Sequence, residues 1–273
     1  MRQRILSTLT LWTIVFLCMY FLGATGAIWL VAAMGVLTLH EYFAMLPRVG
    51  LAPFRRLGLV FAAAILLAPR YLEPYGIRAE WLLALSVIIF ALRILKERNP
   101  ENRMETLAWS TFGMIYIPFM LHFLVRILML HTPHENTGIV LALWMIAVAK
   151  LCDTGALLTG MACGRHKMSP TISPKKTWEG AVGGLVTSAL VGAGIAWGCR
   201  NYLPATFTPG LAALVALPIA GLAIVSDLIE SVFKRRTDVK DSGQTIPGIG
   251  GIFDLSDSFM LTSPAAYVVF QLL

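Results

Sequence analysis

Nine runs of apolar residues, each close to the length that crosses a bilayer, limit what this chain can fold into. They fall at 5–22, 25–46, 57–72, 80–96, 105–130, 138–163, 179–200, 210–233 and 257–273. A spanning helix needs about 20 residues, and in hydrocarbon every backbone polar group must bond within its own segment. The chain is 57% hydrophobic and 14% charged, with a mean hydropathy of +0.73, whereas soluble domains average about 25% charged residues. These features predict an all-α fold: a polytopic integral membrane helical bundle of about nine transmembrane helices. No stretch between the runs is long enough to fold alone. Residues 1–273 therefore read as a single integral membrane domain, with N-terminal helices over 1–137 and more polar helices and loops over 138–273. The first run follows Arg2 and Arg4 and precedes Ala24-Thr25-Gly26-Ala27, the outline of a signal peptide. Its length is that of a span, so a retained first helix is expected.

Lysine and arginine fix an expected orientation. With the N-terminus in the cytoplasm, the inner segments hold Arg2 and Arg4; Arg48, Arg55 and Arg56; Lys96, Arg98 and Arg103; Arg165, Lys167, Lys175 and Lys176; and Lys234, Arg235, Arg236 and Lys240. Only Arg70, Arg78 and Arg200 fall outside. That asymmetry follows the positive-inside rule and predicts a cytoplasmic N-terminus and an external C-terminus. Both long polar loops, 164–178 and 234–256, then face the cytoplasm. The net charge of +7 sits in short loops rather than along one extended face, which argues against a nucleic-acid partner and for anionic lipid or phosphate. Cys18, Cys152, Cys163 and Cys199 have no CxxC spacing, so neither a disulfide framework nor a zinc site is expected.

Polarity concentrates in residues 226–258, which carry six acidic residues, four basic ones and four glycines. Asp227, Glu230, Ser231 and Lys234 recur at helical spacing and line one face near the end of a span. An interfacial salt-bridge face is the plain alternative, but Asp227 lies about two turns inside the polar boundary, where an acid is a functional candidate. Asp238, Lys240 and Asp241 alternate sign in the following loop, which suits phosphate and a cation together. Gly248, Gly250 and Gly251 let backbone amides approach an anion. Asp254 and Asp257 precede the last run at i, i+3, where capping is the plain alternative, weightier for Asp257. Mg²⁺ sites use one or two carboxylates plus substrate phosphates, and Asp227 with Asp254 could supply such a pair.

The other polar segment carries Lys150 and Asp153 one turn apart, where mutual neutralisation is the plain reading. Downstream, Ser173-Pro-Lys175-Lys176-Thr177-Trp-Glu179-Gly180 has the order of a helix start, with Thr177 as the cap and Glu179 in the first turn. Two lysines beside a helix N-terminus make a phosphate site. His166 reads as a solvated loop residue. His40, Glu41, Glu73 and Arg126 carry no assigned role.

Together these segments resemble the phosphatidate cytidylyltransferase (CDP-diacylglycerol synthase) family. The family pattern Ser-x-x-Lys-Arg, four residues, Lys-Asp, Pro-Gly-His-Gly-Gly, Asp-Arg-x-Asp stands here as Ser231, Lys234 and Arg235; Lys240 and Asp241; Pro247 to Gly251; and Asp254 and Asp257. Asp153-Thr-Gly-Ala and Ser173–Gly180 match as well. The resemblance covers Lys150 to the C-terminus, with two departures: Ile249 replaces the family histidine and Leu255 the family arginine. It implies the reaction of CTP with phosphatidate to give CDP-diacylglycerol and pyrophosphate. It further implies Mg²⁺, with a second divalent or a monovalent cation left open, and a multi-pass enzyme of the inner (cytoplasmic) membrane whose active site faces the cytoplasm. By the resemblance, Asp227 and Asp254 are metal ligands, and Lys234, Asp241 and Asp257 are catalytic. Asp153, Ser173, Lys175, Lys176, Glu179, Ser231, Arg235, Lys240, Gly250 and Gly251 are then substrate-binding. Monomer and homodimer both stay open. The alternatives are a CTP-dependent polyprenol or phytol kinase, a transporter with Lys150, Asp153 and Asp227 along its path, and a non-catalytic paralogue.

Overall fold

The computed structural model describes residues 2–96, 102–239, 241–243, 245, 246 and 250–273, the side chains of 2–9, 11, 12 and 16 excepted. Lys240, Pro247, Gly248, Ile249 and Arg98, all named above, lie outside the described residues. The chain is mostly helical and divides into two compact units, Met1–Val125 with Lys234–Ser256 and Arg126–Phe233 with Asp257–Leu273.

The first unit holds α1 (Arg2–Met45), α2 (Arg55–Tyr71), α3 (Ala79–Ile94), α4 (Arg103–Met114) and most of α5 (Met120–Leu128). α1 is two helices run together, broken at Gly23 with φ 54°, a backbone state open to glycine at little cost. The break falls in the gap between the first two apolar runs. Pro118 sits in a wide π-turn, Ile115–Phe119, that joins α4 to α5. The wider turn absorbs the missing proline N–H, so the run continues. Tyr42, Phe43, Ile65, Leu66, Phe90, Met114 and Phe253 fill the core. The Tyr42 hydroxyl donates to the Trp109 carbonyl at 3.0 Å. Gly113 leaves room for the Tyr42 ring where a Cβ would collide with it.

The second unit is built on α6 (Thr137–Cys163), α7 (Trp178–Gly198), α8 (Pro209–Arg236, up to Phe233) and α9 (Ile252–Gln271, from Asp257). α6 and α7 pack through small residues. Gly183 abuts Thr159, Gly155 abuts Thr187, and Gly184 abuts Cys152 so closely that no Cβ fits. Such close backbone approach is what associates helices where lipid removes the hydrophobic drive. The Ser188 hydroxyl donates to the Val148 carbonyl and the Trp144 indole to the Gly192 carbonyl, both at 2.9 Å.

The expected all-α fold needs one correction. Lys167–Ser169 (β1) and Ser173–Thr177 (β2) form an antiparallel ribbon, pairing Lys167 with Thr177 and Ser169 with Ser173. Its base is anchored where the Trp178 amide donates to the His166 carbonyl at 3.0 Å.

Among the described residues, five helices are long and apolar enough to cross a membrane: Leu17–Val49, Arg103–Leu128, Thr137–Cys163, Trp178–Gly198 and Pro209–Arg236. α2 has 17 residues and is about 25 Å long, short of the roughly 30 Å hydrocarbon core. Leu157, Leu158 and Met161 on α6, and Val186, Leu190 and Trp197 on α7, are exposed, an apolar belt suited to lipid.

Candidate active site

Helical spacing puts Asp227 and Glu230 one turn apart on α8, and Asp257 comes from α9. Each offers a carboxylate oxygen, and the three oxygens lie within 4.8 Å of one another. Glu230 and Asp257 are buried, at 1% and 6% exposure. The Ser226 hydroxyl donates to the Asp257 carbonyl at 2.5 Å, tying the two helices. The Ser258 amide donates to Asp257 Oδ1 at 2.6 Å, fixing the carboxylate.

Two lysines reach the cluster. Lys150 Nζ lies 3.4 Å from Asp257 Oδ1 and 4.9 Å above the Phe259 ring. Lys150 thus pairs across helices with Asp257, beyond the same-helix neutralisation expected with Asp153. Lys176 Nζ lies 2.5 Å from Asp227 Oδ2. Asp153 interacts electrostatically with Lys150, Lys176, Asp227 and Asp257, so it belongs to the same group. The three clustered carboxylates against two ammonium groups leave the cluster net negative when all are ionised. Hard oxygen donors with surplus negative charge fit a divalent cation.

The ribbon explains why the two adjacent lysines differ. Successive strand residues point to opposite faces, and Lys175 is exposed while Lys176 is half-buried against Asp227. Ser173 pairs in the ribbon. Thr177 caps α7, its hydroxyl accepting from the Gly180 amide at 3.1 Å, as its sequence position predicts. Glu179 accepts from the Arg165 amide at 3.1 Å, the His166 amide at 3.2 Å and His166 Nδ1 at 2.6 Å. His166 is a solvated loop residue, as expected, its side chain 79% exposed; its ring also meets Glu179, and Glu179 holds the turn that starts the ribbon.

The first unit arranges the glycine loop. Asp254 Oδ1 pairs with Lys234 Nζ at 2.9 Å. Its Oδ2 accepts from the Gly251 amide at 2.9 Å, the Ser242 amide at 3.1 Å and the Ser242 hydroxyl at 2.9 Å. A side chain three residues into a helix that reaches back to the amide at its start is half of a capping box. Capping, weighed more heavily for Asp257, is done by Asp254. Gly250 has φ 130° and bridges back to Ile246, a conformation L side chains rarely adopt. Asp241 is exposed and, with Arg48, Asp238 and Ser242, lines a cleft of about 460 Å³. Ser231 is half-buried and Arg235 exposed on α8. Leu255, in place of the family arginine, is half-buried.

Glu41, given no role from sequence, is buried at 4% exposure. It accepts from the Ser242 hydroxyl at 3.1 Å, the Phe253 amide at 2.9 Å and the Thr245 hydroxyl. Its only sequence signal was an acid inside an apolar run. Helical spacing alone marks Glu230 in the sequence, and the structure adds it to the carboxylate cluster.

A helical chain with membrane-spanning segments, whose buried polarity gathers into carboxylates with lysine arms, has the make-up of an enzyme that handles phosphate groups. The chain belongs to the cytidylyltransferase family, whose model matches residues 2–273. It is 34% identical over 274 residues to the phosphatidate cytidylyltransferase of Synechocystis sp., covering 91% of this chain and 88% of that protein. It is 33% identical over 276 residues to the Bacillus subtilis protein of the same name, covering 100% and 98%. Against the Thermotoga maritima phosphatidate cytidylyltransferase, identity is 30% over 204 residues, covering 70% and 68%.

Proposed function

We propose that this chain transfers the cytidylyl group of CTP to phosphatidate, giving CDP-diacylglycerol and pyrophosphate. The observation that carries the reading is the group of Asp227, Glu230 and Asp257 with Lys150 and Lys176 beside it, in a chain of this family. A phosphate oxygen of phosphatidate attacks the α-phosphorus of CTP. The bond from that phosphorus to the oxygen bridging to the β-phosphate breaks, and pyrophosphate leaves with the bonding pair. The nucleophile is already an anion near neutral pH, so no strong general base is needed. What must be overcome is repulsion between two polyanions.

Asp227, Glu230 and Asp257 are proposed to hold Mg²⁺, which when bound neutralises charge on the triphosphate and on the leaving pyrophosphate. Lys176 and Lys150 are within reach of the same carboxylates and can exchange them for phosphate oxygens, positioning the reactants by charge. Asp254 would have to release Lys234 and three loop donors to bind a metal. Its proposed role is therefore to shape the loop and aim Lys234 at phosphate. Lys175, Arg235, Lys240 and the amides of Gly250 and Gly251 are proposed as further phosphate contacts, and Asp241 as a polar wall of the cleft. Nine spans are proposed from the apolar runs, with the short α2 crossing untilted or through a locally thinned bilayer, and a cytoplasmic N-terminus and a site facing the cytoplasm of the inner membrane from the lysine and arginine asymmetry. The kinase, transport and non-catalytic alternatives are not favoured by the names of the relatives.

The test is turnover of radiolabelled CTP by the purified protein in detergent with phosphatidate, with Mg²⁺ or with chelator, beside Asp257→Asn. Labelled CDP-diacylglycerol formed only with the metal, and reduced about 100-fold in the variant, is expected. A folded protein that binds CTP but yields no lipid product would overturn the reading.

A further inference from the structure

We propose that Glu41 is a positioning residue that sets the glycine loop and, through Ser242 and Asp254, aims Lys234. The kinetic part of the inference rests on the proposed function; the structural part does not.

Glu41 is a buried carboxylate surrounded by donors from residues about 200 positions away. One oxygen takes the Ser242 hydroxyl and the Phe253 amide, and the other takes the Thr245 hydroxyl. Among the described residues no ion pair involves it. Burying a carboxylate without a cation is costly, and hydrogen bonds must offset the lost hydration. Two of the donors, Ser242 and Thr245, precede the glycines, and the third, the Phe253 amide, lies in the first turn of α9. Glu41 thus ties the segment before the glycines to the start of α9. Two glycines complete the fit. A Cβ on Gly243 or on Gly251 would collide with the Glu41 carboxylate, so the backbone at these two glycines is moulded around this side chain.

The contact continues to a functional group. Ser242 Oγ lies 3.1 Å from Glu41 Oε2 and 2.9 Å from Asp254 Oδ2, its one proton shared between the two carboxylates. Asp254 Oδ1 in turn holds Lys234 Nζ at 2.9 Å. A displaced Ser242 changes where the Asp254 carboxylate sits, and with it the ammonium group proposed to meet phosphate. Glu41 touches no reacting atom in this scheme; it acts through Ser242. A misplacement of about 1 Å at such a remove can cost on the order of 100-fold in rate.

The experiment compares Glu41→Ala, Glu41→Gln and Ser242→Ala in the full-length protein in detergent. Amide hydrogen exchange, thermal unfolding, and kcat and KM for CTP are measured for each. Glu41→Ala is expected to speed exchange in peptides covering 242–253, to leave α6 and α7 unchanged, and to lower kcat/KM for CTP about 10- to 100-fold. Glu41→Gln keeps one oxygen for Ser242 and Phe253, and its amide can donate to the Thr245 hydroxyl, so it should recover activity to within about fivefold. Ser242→Ala should reproduce the kinetic loss with little change in the melting temperature. Wild-type kinetics in Glu41→Ala would overturn the proposal. So would a loss that Gln does not rescue and that comes with faster exchange in α6 and α7, since that marks a general stabiliser. If the wild-type protein makes no CDP-diacylglycerol, the proposed function fails. Loop exchange and CTP affinity in the three variants then decide the role of Glu41.

Discussion

Asp257→Asn should shift stability in opposite directions with and without metal. In the metal-free protein Asp257 faces Asp227 and Glu230 with oxygens within 4.8 Å. At an effective dielectric of about 20, each such pair repels by about 3.5 kcal/mol, so Asp257 bears about 7 kcal/mol of repulsion. Lys150 at 3.4 Å returns about 5 kcal/mol of attraction on the same scale. The balance is about 2 kcal/mol against the charge, before its burial is counted. Asparagine keeps an oxygen for the Ser258 amide, so that hydrogen bond survives. The metal-free variant should therefore melt several degrees above wild type, since about 1 kcal/mol moves a chain of this size by roughly 2–4 °C. Divalent metal reverses the order. At a hundred times its dissociation constant a bound ion stabilises the wild-type fold by about 2.7 kcal/mol, and the variant should lose most of that gain. The assay is thermal unfolding in detergent by tryptophan fluorescence, with chelator and across a Mg²⁺ titration. A variant that melts below wild type in chelator yet keeps the full Mg²⁺ shift would refute both the repulsion and the metal assignment.

Three further outcomes follow from the same geometry. Lys176→Met should lower kcat/KM for CTP about 10- to 100-fold, as for loss of a charge-assisted contact, while Lys175→Met, losing a solvent-exposed phosphate contact, should cost less than about tenfold; equal losses would contradict the strand alternation. Asp254→Ala removes the side-chain cap of the Gly251 amide and should cost about 1 kcal/mol in thermal unfolding, with faster exchange at Ser242 and Gly251; unchanged exchange would remove Asp254 from the loop. Gly183→Ala places a Cβ against Thr159 and should destabilise by about 1–3 kcal/mol. Adding Thr159→Gly should recover part of that loss, and failure to recover would place the strain elsewhere.

What the sequence disclosed follows the range over which each rule acts. The break at Gly23, the cap at Thr177 and the helix face of Asp227 and Glu230 depend on neighbours within four residues, and all are where spacing put them. The ribbon at 167–177 escaped because strands of three and five residues are too short to show a period of two. Lys175 and Lys176 are chemically identical in the sequence; only the strand makes one turn toward Asp227. Glu41 lies about 200 residues from its partners, and no local pattern connects an acid in an apolar run to a glycine loop.

Asp254 and Asp257 show where sequence reading ends. They are the same residue type, one turn apart, at the start of the same helix, and dipole and capping rules treat them almost alike. Their surroundings separate them. Asp254 meets two backbone amides, a hydroxyl and Lys234, a set that spends a carboxylate on holding structure. Asp257 meets the Ser258 amide and hydroxyl, Lys150 at 3.4 Å and two other acids, a set in which one lysine faces three carboxylates. Donors on every side suit the structural role proposed for Asp254, and neighbouring carboxylates suit the cation proposed at Asp257. The difference lies in which helices reach each position, and that is decided by the packing of α8 on α9 and of the loop on Glu41.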